Sequence, residues 1–216
     1  MSLGRLERHI TTRPLRIGVA ALQGAVSEHA DALRNAADRT GLHVQVFPVR
    51  SKADFEATDA LVLPGGESTT ISKLLVRFDL MERIRTRVAD ENYPILGTCA
   101  GMVLLARDGG EQAARTRTEL IGVMDIAVDR NAFGRQRESF ERDISLDLVG
   151  LEAPERPVPA VFIRAPAVTR TWGDARAIAH TEDRVVGAQE GRRIALSFHP
   201  ELTADTRVHE AFLKLV

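Results

Sequence analysis

The chain has 216 residues, of which 44% are hydrophobic and 27% are charged, and its formal net charge is -1. This length predicts one globular domain with a sizeable core, and the near-neutral charge argues against a nucleic-acid partner that needs a basic surface. A single cysteine, Cys99, excludes an internal disulfide and favours a reducing, cytoplasmic setting. No apolar run approaches the length of a membrane span, so we expect no membrane partner.

The first residues differ in character from the rest of the chain. Residues 1–14 carry Arg5, Arg8 and Arg13 and lack the apolar segment of a secretory signal. We predict a poorly ordered extension over 1–14 and one domain over 15–216.

Strand and helix patterns alternate at the start of this domain. Apolar runs predict strands at 16–22, 43–49 and 60–63, and a periodic stripe from Val26 to Ala37 predicts a helix that ends near Gly41. Residues 51–58 are predicted to form a loop. Two further helices are predicted by the apolar positions listed here: Ile71, Leu74, Leu75 and Phe78, then Leu80, Ile84 and Val88. Such βαβ units indicate a largely parallel sheet.

Residues 94–102 form the most informative stretch of the sequence. A short apolar run ends in Gly-Thr-Cys-Ala-Gly, the thiol counterpart of the nucleophile elbow, in which the nucleophile occupies a strained turn between a strand and a helix. The N-terminus of the following helix favours the thiolate form of Cys99. Taken alone, the motif also fits a small buried hydrophobic residue, which is what most free cysteines are.

The second half of the chain is rich in short strand patterns. They occur at 121–128, 140–148, 158–163, 177–179, 185–189 and 194–198. No long helix separates them, so we expect hairpins and antiparallel pairing before a closing helix through Val208, Phe212 and Leu215. We therefore predict an α/β fold: a single-domain, three-layer mixed β-sheet with helices on both faces and extra antiparallel strands in its second half.

A histidine and a carboxylate follow the last predicted strand. His199 comes directly after it and Glu201 lies two residues later, so an extended chain would place both side chains on one side. Pro200 restricts the backbone and favours that extended form. A carboxylate that orients an imidazole is the logic of a catalytic triad, although an ordinary surface turn fits the same three residues. The upstream cysteine favours catalysis.

Loops at the carboxyl ends of parallel strands should meet at one edge of the sheet. Three such loops are predicted, at Gln23-Gly24, at Gly65-Gly66-Glu67 and at Cys99. The glycine pair lacks the lysine of a phosphate-binding loop and is better suited to presenting a backbone N–H to an oxyanion. Ser68 can also cap the following helix.

Basic residues further along offer sites for an anionic group. Arg130 opens a basic loop, 130–137, that is either a solvated surface or a clamp for a carboxylate. Arg164 ends an apolar strand, where a second ligand contact is expected. No residue spacing suggests a metal site.

These motifs together resemble the class I (triad) glutamine amidotransferases, which have a flavodoxin-like fold, and within them the glutaminase subunits of pyridoxal 5'-phosphate synthase. Many triad amidotransferases share the elbow and the His-Pro-Glu sequence. Other stretches resemble the glutaminase subunits of pyridoxal 5'-phosphate synthase in particular. Those stretches are Gln-Gly-Ala-Val at 23–26, Gly-Glu-Ser-Thr-Thr at 66–70 and Asn-Ala-Phe-Gly-Arg-Gln at 131–136.

The resemblance implies roles for individual residues. Cys99 would be the nucleophile, His199 the general acid and base, and Glu201 its orienting partner. The residues implied to contact glutamine are Gly66, Glu67, Ser68, Arg130, Ile163 and Arg164. The N–H groups of Gly66 and Ala100 would form the oxyanion hole.

The resemblance also implies a reaction and a partner. L-glutamine would be hydrolysed through a cysteine thioester to L-glutamate and ammonia without a cofactor or metal. The ammonia would pass to a synthase subunit in a hetero-oligomer for vitamin B6 biosynthesis. That partner would activate the glutaminase by reorienting the Gly65-Gly66 peptide, and we expect Gln23 to hold the reoriented peptide. A different synthase partner, or a non-catalytic assembly subunit of the same fold, remain the alternatives.

Overall fold

The computed structural model describes residues 13–130, 132 and 139–216. Most of the predicted N-terminal extension, 1–12, and most of the basic loop, including the Asn-Ala-Phe-Gly-Arg-Gln stretch apart from Ala132, lie outside the described residues. In the described end of the extension, the guanidinium of Arg13 donates to both carboxylate oxygens of Asp59 at 2.7 and 2.8 Å.

Strands and helices alternate through the first half of the chain, and strands dominate the second. The strands are β1 (Leu15–Ala20), β2 (Val44–Val49), β3 (Ala60–Leu63), β4 (Ile95–Thr98), β5 (Ala106–Asp108), β6 (Met124–Asp129), β7 (Phe140–Ile144), β8 (Val158–Phe162), β9 (Ala167–Thr171), β10 (Arg176–His180), β11 (Val185–Glu190) and β12 (Arg193–Leu196). The helices are α1 (Val26–Thr40), α2 (Lys52–Glu56), α3 (Ser68–Arg77), α4 (Met81–Glu91), α5 (Ala100–Leu105), α6 (Gly110–Thr116) and α7 (Arg207–Leu213), with a 3-10 turn at Pro200–Leu202.

One large mixed sheet carries the fold, with its strands in the order β2-β1-β3-β4-β12-β11-β9-β6-β5. Five neighbouring strands of this sheet pair in parallel, namely β2, β1, β3, β4 and β12. Strand β11 pairs antiparallel with β12, with β9 and with β10. Strands β7 and β8 form a separate antiparallel pair. The predicted combination of a parallel first half and antiparallel additions is confirmed.

Both faces of the sheet are covered because side chains alternate along each central strand. Ile17 and Val19 of β1 pack into a core with α1 and α7. Leu61 and Leu63 of β3 pack into a second core with α3, α4 and α5. Helices on both faces of a mixed sheet confirm the predicted three-layer α/β fold.

Several short elements differ from the sequence prediction. Residues 52–56, predicted as a loop, form helix α2, which begins with a reciprocal capping box between Ser51 and Asp54. Helix α6 and strand β9 were not predicted. In the part of the chain that the structure describes, no helix has both the length and the apolar character needed to cross a membrane.

Candidate active site

Cys99 lies at a sharp turn between β4 and α5, as the elbow motif predicts. Its backbone has φ 50° and ψ −104°, a conformation that costs free energy for a residue with a side chain. The turn is held by a hydrogen bond from the Cys99 N–H to the Leu196 carbonyl at 2.8 Å. A Cβ on Gly101 would lie 2.2 Å from the carbonyl oxygen of Leu63, so α5 packs on β3 only because this residue is glycine.

His199 and Glu201 follow the neighbouring strand, β12. Strands β12 and β4 are parallel with Leu196 opposite Thr98, so both chains leave the sheet at the same edge. The N–H of His199 donates to the carbonyl of Val161 at 2.8 Å. Nδ1 of His199 lies 2.7 Å from Oε1 of Glu201. The predicted contact is present, but the predicted extended backbone through Glu201 is wrong, because Glu201 lies in the 3-10 turn.

The imidazole of His199 bridges the thiol and the carboxylate. Burial alone would lower the pKa of His199, but hydrogen bonds with Cys99 and Glu201, together with the charges of both groups, raise it to about 10. Because Nδ1 is bonded to Glu201, Nε2 is the ring nitrogen left for Cys99. A protonated imidazole beside a sulfur atom can stabilise a thiolate and holds a proton to give away.

The glycine pair after β3 lies directly against His199 and Cys99. A Cβ on Gly65 would lie 2.4 Å from Cε1 of His199. The carbonyl oxygen of Gly65 contacts Gly24, since a Cβ there would lie 1.7 Å from it. In a trans peptide the following N–H points the opposite way, so the Gly66 N–H points away from Gly24.

Gln23 braces the next peptide along this loop. Its Oε1 accepts a hydrogen bond from the N–H of Glu67 at 3.0 Å. The prediction that Gln23 holds the Gly65-Gly66 peptide concerns the peptide that a partner has reoriented; in the chain alone, Gln23 bonds the following peptide.

A cavity of about 220 Å³ opens beside the thiol. Its lining brings together most of the predicted site residues, namely Gly66, Glu67, Ser68, Cys99, Ala100, Arg130 and Arg164, and adds Val103, Gln112 and Pro166. Ile163 contributes through its backbone, because its carbonyl oxygen lies 3.7 Å from Sγ of Cys99. The three loops predicted to converge at one edge of the sheet therefore do so.

Charges of both signs face this cavity. Glu67 caps α3 by accepting from the N–H groups of Thr69 and Thr70. Partial burial opposes its ionisation, but these bonds and that from the Thr70 hydroxyl outweigh burial and lower the pKa of Glu67 to about 2. Arg130 lies 3.3 Å from Glu67 and 3.4 Å from the Thr116 hydroxyl. A fixed carboxylate beside a fixed guanidinium suits a zwitterionic ligand such as an amino acid.

Two uncharged polar side chains, Ser68 and Gln112, also line this cavity. Oγ of Ser68 is buried and finds no hydrogen-bond partner among the described residues, so a ligand group can satisfy it. Gln112 lines the same cavity from α6. Sequence reasoning did not single out Gln112, because no motif surrounds it.

Comparison with known proteins identifies relatives of this chain. Residues 19–216 match the SNO glutamine amidotransferase family. A protein named pyridoxal 5'-phosphate synthase subunit PdxT from Methanosarcina acetivorans is 46% identical over 202 residues, which cover 94% of this chain and 98% of that protein. A protein of the same name from Methanopyrus kandleri is 47% identical over 208 residues, covering 94% of this chain and 100% of that protein.

Solved structures agree with this match. A crystal structure described as a glutamine amidotransferase is 40% identical, has a TM-score of 0.78, and covers 92% of this chain and 97% of its own. A glutamine amidotransferase structure from Thermotoga maritima has a TM-score of 0.58 at 14% identity, covers 94% of this chain and 84% of its own, and supports the fold alone.

Proposed function

The chain belongs to the SNO glutamine amidotransferase family, and we propose that Cys99, His199 and Glu201 carry out its chemistry as a catalytic triad. The chain is the glutaminase subunit of pyridoxal 5'-phosphate synthase: it hydrolyses L-glutamine to L-glutamate and ammonia and works with the synthase subunit. One observation carries the proposed roles, namely the imidazole of His199 held between the Cys99 thiol and the Glu201 carboxylate.

The proposed reaction has two stages. The thiolate of Cys99 forms a bond to the side-chain amide carbon of glutamine, and the proton on Nε2 of His199 passes to the amide nitrogen as the C–N bond breaks. Ammonia leaves and a γ-glutamyl thioester remains. His199 then removes a proton from water, whose oxygen attacks the thioester, so that glutamate leaves and the thiolate–imidazolium pair is restored.

The oxyanion formed in each stage needs backbone donors near the sulfur. Ala100 is the first residue of α5, so its N–H has no acceptor within the helix. The N–H of Gly66 is the second donor in this proposal, and its position depends on the orientation of the Gly65-Gly66 peptide. Glycine at both positions permits this peptide to rotate, and a synthase partner that binds one orientation more tightly would select it.

Glutamine would enter the cavity with its amide towards Cys99. In this proposal, the α-carboxylate binds Arg130 or Arg164, the α-ammonium group lies near Glu67, and Ser68 donates or accepts one further hydrogen bond. A reduced thiol is essential to this chemistry, and we propose a cytoplasmic location, where thiols stay reduced.

The experiment that tests the triad replaces the nucleophile. Cys99→Ala in the complex with the synthase subunit should abolish glutamate release while the thermal unfolding midpoint stays close to that of the parent. Assaying each protein with and without the synthase subunit also separates a catalytic subunit from a non-catalytic assembly subunit. Glutamate release by Cys99→Ala at the parental rate would refute the assigned nucleophile.

A further inference from the structure

A chain of buried polar groups lies behind the triad, next to the second oxygen of Glu201. His29 of α1 and His209 of α7 are both 0% exposed. Nδ1 of His29 lies 3.2 Å from Nε2 of His209. Nε2 of His29 lies 3.0 Å from Oγ1 of Thr98 and 3.3 Å from Oε2 of Glu201. Two helices and a central strand therefore converge on the carboxylate that bonds His199.

Burial favours the neutral form of both of these histidines. Burial, and then the neighbouring His209 and His199, hold the pKa of His29 well below its usual value, and burial lowers the pKa of His209 to about 4. A neutral imidazole has one N–H and one bare nitrogen, so the network admits few arrangements.

The charge of Glu201 selects one arrangement. A proton on Nε2 of His29 lies between Oγ1 of Thr98 at 3.0 Å and Oε2 of Glu201 at 3.3 Å, and Nδ1 then accepts from the Nε2–H of His209. The reverse tautomer would bring a nitrogen lone pair against a carboxylate oxygen, which is repulsive. With the first tautomer, His209 fixes His29 and His29 points its proton at Glu201.

From this geometry we propose that His29 is a positioning residue for the triad: its Nε2–H holds Oε2 of Glu201, so that Oε1 stays aimed at Nδ1 of His199. This inference rests on the proposed triad. Among the described residues, Oε2 makes no hydrogen bond of standard geometry, and His29 supplies the polar hydrogen close to it. Catalytic hydrogen bonds in a ligand-free site are often long and tighten when substrate binds.

An apolar residue would fill this part of the core at a lower desolvation cost. His29 is fully buried, and an imidazole loses its hydration there. The hydrogen bonds to Thr98 and His209 offset part of that loss, and the close approach to Glu201 gives the ring a polar partner at the triad as well.

The test replaces His29 in the full complex with the synthase subunit. His29→Leu fills the space but removes the donor, so the carboxylate can rotate and stabilises the imidazolium of His199 less. We expect kcat to fall about 10–100-fold, as is typical when an orienting partner is lost. The KM for glutamine should change little, because His29 does not line the cavity.

The pH profile separates positioning from simple damage to the fold. The bond to Glu201 raises the pKa of His199, so weakening it lowers that pKa. The basic limb of kcat against pH, where the protonated imidazole is lost, should therefore move to lower pH in His29→Leu. The pH dependence of Cys99 alkylation by iodoacetamide reports the same pair without turnover, because this is the chain's single thiol.

Matched variants complete the experiment. His29→Gln can place an amide N–H where Nε2 lies and should restore kcat and the basic limb, whereas His29→Asn reaches only the Nδ1 position and should not. Tyr93→Phe removes a buried hydrogen bond to Thr58 at the other end of β4. It should lower the unfolding midpoint without moving the basic limb.

Each outcome decides between explanations. If the parent complex is active and His29→Leu has the same kcat and the same basic limb, the inference is overturned. It is also overturned if His29→Leu loses kcat while its basic limb stays where it is in the parent. If His29→Leu does not fold, equal profiles for the Gln and Asn variants would overturn it. Failure of the triad itself is recognised separately, by glutamate release that survives Cys99→Ala.

Discussion

Replacing Gly65 with alanine should disable the site while leaving the fold intact. The added Cβ would lie 2.4 Å from Cε1 of His199 and 3.3 Å from Cβ of Cys99. Carbon atoms pack at about 3.5–4.0 Å, so the imidazole has to move by about 1 Å. A displacement of about 1 Å in a catalytic group can lower kcat about 10²-fold. The backbone of Gly65 lies outside the left-handed region, so alanine adds no backbone strain.

The measurement is glutamate release by the complex with the synthase subunit, together with thermal unfolding of the isolated variant. Gly41→Ala is the matched control, because Gly41 has φ 68° with no atom within 4 Å of the added Cβ. That variant should lose about 1 kcal/mol of stability and keep its kcat. A parent-like kcat in Gly65→Ala would show that the loop yields readily, and the argument from close packing would fail.

Two further predictions concern the rim of the cavity. Arg130→Ala should weaken glutamine binding by about 1.5–3 kcal/mol, the range for a lost hydrogen bond to a charged group, and so raise KM. The control Arg115→Ala removes an exposed ion pair with Glu111 and should leave KM unchanged. An unchanged KM in Arg130→Ala would contradict the role of Arg130. Gln23→Ala removes the acceptor of the Glu67 N–H and should lower synthase-stimulated glutamate release more than complex formation, by up to about 10²–10³-fold if an oxyanion donor is misplaced. A Gln23→Ala protein stimulated as strongly as the parent would refute that coupling.

The proposed catalytic site can be predicted from the sequence because its residues lie in short motifs at strand ends. A strand followed by Gly-Thr-Cys-Ala-Gly specifies the turn at Cys99, and His199 and Glu201 are only two residues apart. The parallel order of the strands then brings these loops to one edge of the sheet, whatever the details of their backbones.

The missed helices lack the periodic apolar stripe on which the prediction depends. Helix α2 buries only Phe55 and helix α6 only Ala113. Such short helices depend on caps and tertiary packing, and the Ser51–Asp54 capping box was the readable signal for α2.

The contact between His29 and Glu201 shows a different limit of sequence reasoning. His29 lies three residues beyond the Gln-Gly-Ala-Val stretch, 23–26, that helps to carry the family resemblance, but its partners lie on β4, on α7 and in the 3-10 turn. Periodicity describes neighbours along one element and says nothing about which buried polar side chains meet across several elements.

The pairing of β4 with β12 positions Cys99 and His199, whereas the arginines that line the cavity come from other parts of the chain. Sheet hydrogen bonds set the spacing between the proposed nucleophile, Cys99, and the proposed base, His199, since each residue follows a strand that pairs in register with the other. The long stretch from α5 through β11 begins directly after Cys99, adds β5, β6, β9, β10 and β11 to the same sheet, and ends at the start of β12. It carries Arg130, Ile163 and Arg164. Exchanging the side chains at Arg130 and Arg164, which line the cavity, can therefore change what the cavity admits while the pairing of β4 with β12 is kept. A variant with both arginines replaced should keep a reactive Cys99 even when its preference for glutamine changes.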